Sequence, residues 1–114
     1  MINRGDVIAL ETIGRRSGRL RYAPVACWRD EHGAFIVGGG AAGMATVPDW
    51  VKNLRSTPAA AVWVRRSRIP VSAHELSGDD RARAQDQAIR IWRSVRRYER
   101  KSGRVIPYFR LEPT

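Results

Sequence analysis

Val7-Ile8-Ala9-Leu10-Glu11-Thr12-Ile13-Gly14-Arg15-Arg16-Ser17-Gly18-Arg19-Leu20-Arg21-Tyr22-Ala23-Pro24-Val25-Ala26-Cys27-Trp28-Arg29 is the stretch on which the fold turns. Val7 to Ile13 is rich in branched and apolar residues up to the breaker Gly14, and reads as a strand. Arg15 to Gly18 make a tight polar turn. Tyr22 to Arg29 reads as a second strand, and Asp30-Glu31-His32-Gly33 turns it into a third, Ala34 to Gly38. Two strand–turn units in succession point to an antiparallel, β-rich domain.

Downstream, the run from Gly38-Gly39-Gly40 to Pro48 can sustain neither helix nor strand, because glycine triplets forfeit propensity and side-chain packing. Pro48 to Ser56 reads as a short helix with Trp50, Val51 and Leu54 on one face. Ala60 to Val64 and Ile69 to His74 are two more strands hinged at Arg65 to Arg68. Ser77-Gly78-Asp79-Asp80 resembles a capping box. It opens a long helix expected to reach Lys101 and stop at Gly103, with Ala84, Ala88, Ile91, Val95 and Tyr98 as a buried stripe. Ile106 to Leu111 closes the chain as a last strand. The elements describe an α+β domain or a small barrel with a helical cover.

Length allows one domain, residues 1–114, with one core. A domain of this size buries roughly two thirds of the surface its unfolded chain exposes, enough to fold without staples. Cys27 is the only cysteine, so neither an intrachain disulfide nor a cysteine-based metal site is available, and no metal is expected. The N-terminal residues lack a signal peptide's apolar core, and no apolar run approaches the roughly 20 residues of a membrane span. A cytoplasmic protein is expected. The formal charge of +10 calls for an anionic partner: nucleic acid, a lipid surface or a polyanionic small molecule.

Acid–base chemistry is scarce. The two histidines, His32 in a turn and His74 in a strand, lack the spaced partners of a zinc site or a hydrolytic triad. The serines show no nucleophile elbow, and the glycine run lacks the remaining residues of a P-loop or dinucleotide fingerprint. An enzyme so equipped must take its chemistry from a cofactor. Gly14 to Arg21 places four arginines around a turn bracketed by glycines. Converging amides and planar guanidinium forks there suit phosphate or carboxylate oxygens, the competing reading being a charged, solvated turn. The glycine triplet at a strand end suits close approach of a flat ligand, and Trp50 and Trp92 can wall one.

The order Glu-Thr-Ile-Gly-Arg-Arg-Ser-Gly, Arg21-x-x-Pro24, strand-Gly-Gly, Pro48-x-Trp50-x-x-Asn53-Leu54-x-x-x-Pro58, Ile106-Pro107 and a terminal Leu-Glu-Pro resembles the deazaflavin-dependent nitroreductases. These are actinobacterial oxidoreductases that use coenzyme F420, and the match runs from about residue 7 to 113. The resemblance implies a mainly β, split β-barrel fold of the FMN-binding-protein type with one short and one long helix. It implies a reductase passing hydride from reduced F420 to a planar electrophile, a quinone or a nitroaromatic. Arg15, Arg16, Ser17 and Arg21 fall where the family holds the coenzyme's phosphate and glutamyl tail. Pro24, Val25 and Ala26 lie along the deazaflavin, Gly38, Gly39 and Gly40 bring amides to the ring and ribityl region, and Asp49 and Trp50 flank it.

Nitroimidazole-activating members surround their substrate with tyrosines. Here Ala26, Trp92 and Val95 stand in those places and Tyr98 alone matches. Trp92, Val95 and Tyr98 are therefore the expected substrate-binding residues, with Tyr98 the substrate-side catalytic group. The amphipathic N-terminal segment of some members has no counterpart before the first strand, so membrane association is not expected. A small-molecule substrate and a homodimer are the expected partners. FMN is the alternative cofactor. The competing functions are a split barrel holding FMN or haem, and a non-catalytic cofactor-binding or nucleic-acid-binding module. Specific nucleic-acid binding is not expected, since neither a recognition helix nor an exposed aromatic platform is evident.

Overall fold

The computed structural model describes residues 5–40, 46–102 and 105–114; for residues 98, 99, 101 and 102 the description is confined to the backbone. Six strands close into an antiparallel barrel: β1 (Asp6–Ile13), β2 (Leu20–Arg29), β3 (Phe35–Gly38), β4 (Ala59–Val64), β5 (Ser67–Glu75) and β6 (Tyr108–Pro113). Round the barrel they run β1-β2-β3-β6-β5-β4. The mainly β barrel that the resemblance implies is the fold observed.

The first hairpin is long because β1 and β2 pair from Asp6–Cys27 to Ile13–Leu20 without interruption. Its turn closes on itself: the Gly14 N–H donates to Arg19 O and the Gly18 N–H to Gly14 O, both at 2.8 Å. Gly18, at φ +72°, takes the left-handed conformation that other residues resist. On the opposite side β1 meets β4 over three pairs, Ala9–Trp63, Leu10–Val62 and Glu11–Ala61.

Alternation along the strands sends Ile8, Leu10, Val25, Val37, Val62, Val71 and Leu111 into the barrel core. Helix α1 (Asp49–Ser56) adds Trp50, Val51 and Leu54 to that core. Burial of each large side chain is worth roughly 1.5–3 kcal/mol. A second apolar cluster lies on the barrel's outer surface, where Trp28, Ile36 and Tyr108 meet Ala84, Ala88 and Val95. Strands covered on both faces lose the clean polar alternation of a solvated sheet.

The single long helix expected after Ser77 is two helices, α2 (Gly78–Ile91) and α3 (Val95–Ser102). The break falls at Trp92, whose backbone is extended (φ −129°, ψ 102°). Packing accounts for it: the Trp92 ring lies against Trp28, with centroids 6.0 Å apart, and directly over the backbone of Gly5. A Cβ on Gly5 would stand 2.1 Å from Trp92 Cζ2. Ser77 occupies the N-cap position of α2, yet its hydroxyl makes no capping hydrogen bond. The expected stop at Gly103 lies outside the described residues.

Candidate functional site

Two adjoining cavities share the Trp50 side of α1. The first, about 310 Å³, is predominantly apolar and is walled by Trp28, Trp50 and Trp92. Pro24, Val25 and Ala26 of β2, Gly38 at the end of β3, Gly40 beyond it, and Pro48 complete one side. Ala88, Ser94, Val95, Ile106 and Tyr108 form the other. Its size suits a flat organic ligand. Trp28 is fixed from two directions, by Trp92 and by an edge-on contact with Tyr108 at 6.4 Å. The Tyr108 hydroxyl in turn donates to Gln85 Oε1 at 2.6 Å.

The second cavity, about 480 Å³, is lined by Gly14, Arg15, Arg16, Ser17 and Arg21 from the hairpin turn, with Asp49 and Asn53 of α1 facing them. Arg16 and Arg21 are exposed, whereas Arg15 is drawn down onto α1. Asn53 Oδ1 accepts from both the Arg15 backbone N–H, at 3.2 Å, and Arg15 Nη1, at 2.9 Å. Asp49 Oδ1 takes Arg15 Nη2 at 3.3 Å. The Ser17 hydroxyl accepts the Arg19 N–H at 3.1 Å, which braces the turn.

The structure thus brings Arg15, Arg16, Ser17, Arg21 and Asp49 to one cavity, and Pro24, Val25, Ala26, Gly38, Gly40, Trp92 and Val95 to its neighbour, with Trp50 between. Val25 belongs to the barrel core as well. Gly39 is not among the residues that line either cavity. It is buried, its N–H donates to Pro107 O at 2.8 Å, and a Cβ there would meet Val51 Cγ2 at 2.7 Å. Its smallness serves the docking of α1. Gly38 lines the cavity, and its missing Cβ makes room for the Tyr108 ring, 2.7 Å from where that atom would be. Tyr98 lies in α3, and its side chain is outside the described residues.

Sequence reasoning missed Trp28, Ser94, Ile106 and Tyr108 in the first cavity, and Thr12 and Asn53 in the second. Asn53 was legible as part of the short-helix motif but not as a site residue. For Trp28 and Tyr108 the available signal was a large aromatic at an outward-facing strand position.

Nucleophilic chemistry finds little support. Burial, aided by Asp6, pushes the Cys27 thiol up to about 11, leaving it protonated at neutral pH. Among the described residues no three His, Cys, Asp or Glu side chains gather into a metal site. The buried carboxylate of Glu11, held below its usual range chiefly by the Arg68 hydrogen bond, is tied up in an ion pair with Arg68.

Known proteins share the sequence pattern and the fold. The profile of the F420H(2)-dependent quinone reductase family matches residues 1–113. A Mycobacterium tuberculosis protein named as an F420H(2)-dependent quinone reductase is 29% identical over 106 residues, 93% of this chain and 88% of that protein. The solved structure of an F420-H2 dependent reductase, FDR-A, superposes with a TM-score of 0.81 at 27% identity, covering 93% of each chain. A structure described as a domain-swapped dimer superposes with a TM-score of 0.82 at 27% identity, over 93% of this chain and 79% of that one.

The residues present fit a deazaflavin. A flat apolar slot adjoins an arginine-lined recess, as a planar ring with an anionic tail requires, and Trp50 stands where ring and tail would meet. By its profile and its barrel, this chain belongs to the F420H(2)-dependent quinone reductase family and is an oxidoreductase that works with coenzyme F420.

Proposed function

We propose that the enzyme reduces a planar electrophile, a quinone or a nitroaromatic, with hydride from reduced F420. The observation that carries this reading is the pairing of a tryptophan-walled slot with an arginine-lined recess across Trp50. Arg16 and Arg21 grip the coenzyme's phosphate and glutamyl tail, and Arg15, Ser17 and Asp49 hold the turn that carries them. Pro24, Val25, Ala26, Gly38 and Gly40 border the ring. Trp92 and Val95 face the substrate, with Tyr98 as the substrate-side catalytic group. Reduced F420 supplies the hydride when bound; the protein's part is to stack, orient and exclude water. The Tyr108 hydroxyl is engaged by Gln85, while Ser94 brings a second hydroxyl to the same wall.

Titration with oxidised F420 and with FMN, read by tryptophan fluorescence, tests the cofactor assignment. Oxidation of F420H2 by a benzoquinone and by a nitroaromatic tests the substrate class. Failure of both acceptors with the coenzyme bound would refute the proposed reaction.

A cytoplasmic homodimer is the form we propose. Val7, Leu20 and Tyr22, apolar side chains 66%, 51% and 58% exposed on β1 and β2, supply a candidate interface. The related domain-swapped dimer supports self-association. A monomer at micromolar concentration in sedimentation equilibrium would overturn it.

A further inference from the structure

We infer that Asn53 is a positioning residue for the coenzyme tail, acting through Arg15 to fix the arginine turn against the barrel. The inference rests on the reading that Arg16 and Arg21 grip the tail. The turn from Gly14 to Arg19 is closed by its own hydrogen bonds, Gly14 N–H to Arg19 O, Gly18 N–H to Gly14 O and Arg19 N–H to Ser17 Oγ. All three lie within the turn, so they set its shape and leave its tilt over the second cavity free.

The tilt is set from α1. Asn53 is 3% exposed. Its carbonyl oxygen has two lone pairs, and Arg15 fills both, one with its backbone N–H and one with Nη1. The amide nitrogen donates to Thr12 Oγ1 at 3.2 Å, on β1 just before the turn. One buried side chain thereby joins the strand end to the first residue of the turn, with α1 as the anchor. The helix's own termination does not need it, since the Thr57 N–H closes on the Asn53 backbone carbonyl.

A division of labour follows. Arg15 has its guanidinium engaged by Asn53 and Asp49 and serves as a strut. Arg16 and Arg21, exposed on the same cavity, carry the charge that meets the anion. Correct placement of both depends on a residue of the same cavity wall whose hydrogen bonds go to Arg15 and Thr12 and not to them.

The test compares F420 with FO, the ribityl-deazaflavin fragment that lacks phosphate and tail, by fluorescence titration of the full chain. Asn53→Ala should weaken F420 about tenfold, the scale of one or two buried hydrogen bonds, and leave FO unchanged. Thr12→Val, which keeps the side-chain volume, should give the same selective loss in milder form, and Thr12→Ser should restore binding. Equal weakening of both ligands would assign Asn53 to the ring site or to general stability and overturn the inference, as would undiminished F420 affinity in both variants. The double variant Arg16→Ala/Arg21→Ala separates the two levels. If it leaves F420 affinity intact, the grip itself is wrong; if it weakens F420 while Asn53→Ala does not, only the positioning role falls.

Discussion

Arg68 Nη2 lies 2.6 Å from Glu11 Oε2, and the carboxylate it meets is 3% exposed at the junction of β1, β4 and β5. Arg68 Nε and Trp63 Nε1 donate to the same carboxylate. The Arg68 hydrogen bond, outweighing burial and joined by Trp63 and Tyr22, holds Glu11 below the usual carboxylate range. Between that lowered value and the ordinary one the unfolded chain binds more protons, so stability rises with pH across the window and is complete above it. Glu75, lowered chiefly by Arg55, acts in the same direction. So does Asp30, where burial pulls upward but Arg110 and the amides of Ala34 and His32 prevail. Urea melts from about pH 3 to pH 7 should show stability falling with acid. Glu11→Gln should cost about 1–3 kcal/mol at neutral pH and flatten part of that slope. An unchanged slope would remove Glu11 from the account.

Arg16→Ala combined with Arg21→Ala should weaken F420 binding by roughly 2–5 kcal/mol while the melting curve stays put, since both side chains are exposed. The wild-type enzyme should bind F420 at least about tenfold tighter than FMN, because the longer anionic tail gives the arginines more to hold. Equal FMN affinity would contradict the division into slot and recess.

Gly39→Ala should destabilise the fold by about 1–3 kcal/mol through overpacking. The new methyl would stand 2.7 Å from Val51 Cγ2 and 3.0 Å from Pro107 Cγ, both in a close-packed setting. Thermal melts check this, and a variant as stable as wild type would show that α1 can shift freely.

Nucleic acid and coenzyme should separate under salt. A chain of charge +10 attracts DNA at low ionic strength, but counterion release makes such binding fall by roughly 10³ to 10⁵ between 50 and 200 mM salt if six to ten phosphates are contacted. F420 affinity should fall far less, because ring stacking is independent of released ions. Paired titrations decide: sequence-selective DNA binding at physiological salt, with no coenzyme binding, would point to a nucleic-acid module.

Much of the barrel was legible because local chemistry and long-range packing agree there. Val7 to Ile13, the Gly14–Gly18 turn and the Trp50-Val51-Leu54 face form what their residues prefer. The break between α2 and α3 was hidden because Ala84, Ala88, Ile91 and Val95 keep helical phase across it, with no proline or glycine to mark it. The contacts that break the helix, Trp92 on Gly5 and on Trp28, span most of the chain. The same distance concealed Asn53, whose partners Thr12 and Arg15 lie 41 and 38 residues away. Boundaries moved where a partner extended the pairing: β2 begins at Leu20 because Ile13 is there to meet it.

The three-pair meeting of β1 and β4 is a seam in the cylinder, as short as the meeting of β2 and β3, whereas β1 joins β2 over eight pairs. Glu11 is the last residue of that seam, and its carboxylate laces it to Trp63 on one strand and Arg68 on the next. Local opening of a native protein begins where the fewest interactions must be broken. Backbone amides that bond across the β1–β4 ladder should therefore lose hydrogen-exchange protection before those of the β1–β2 hairpin. Protonating Glu11 should weaken that lacing, leaving chiefly the three-pair ladder to keep the cylinder closed along this line.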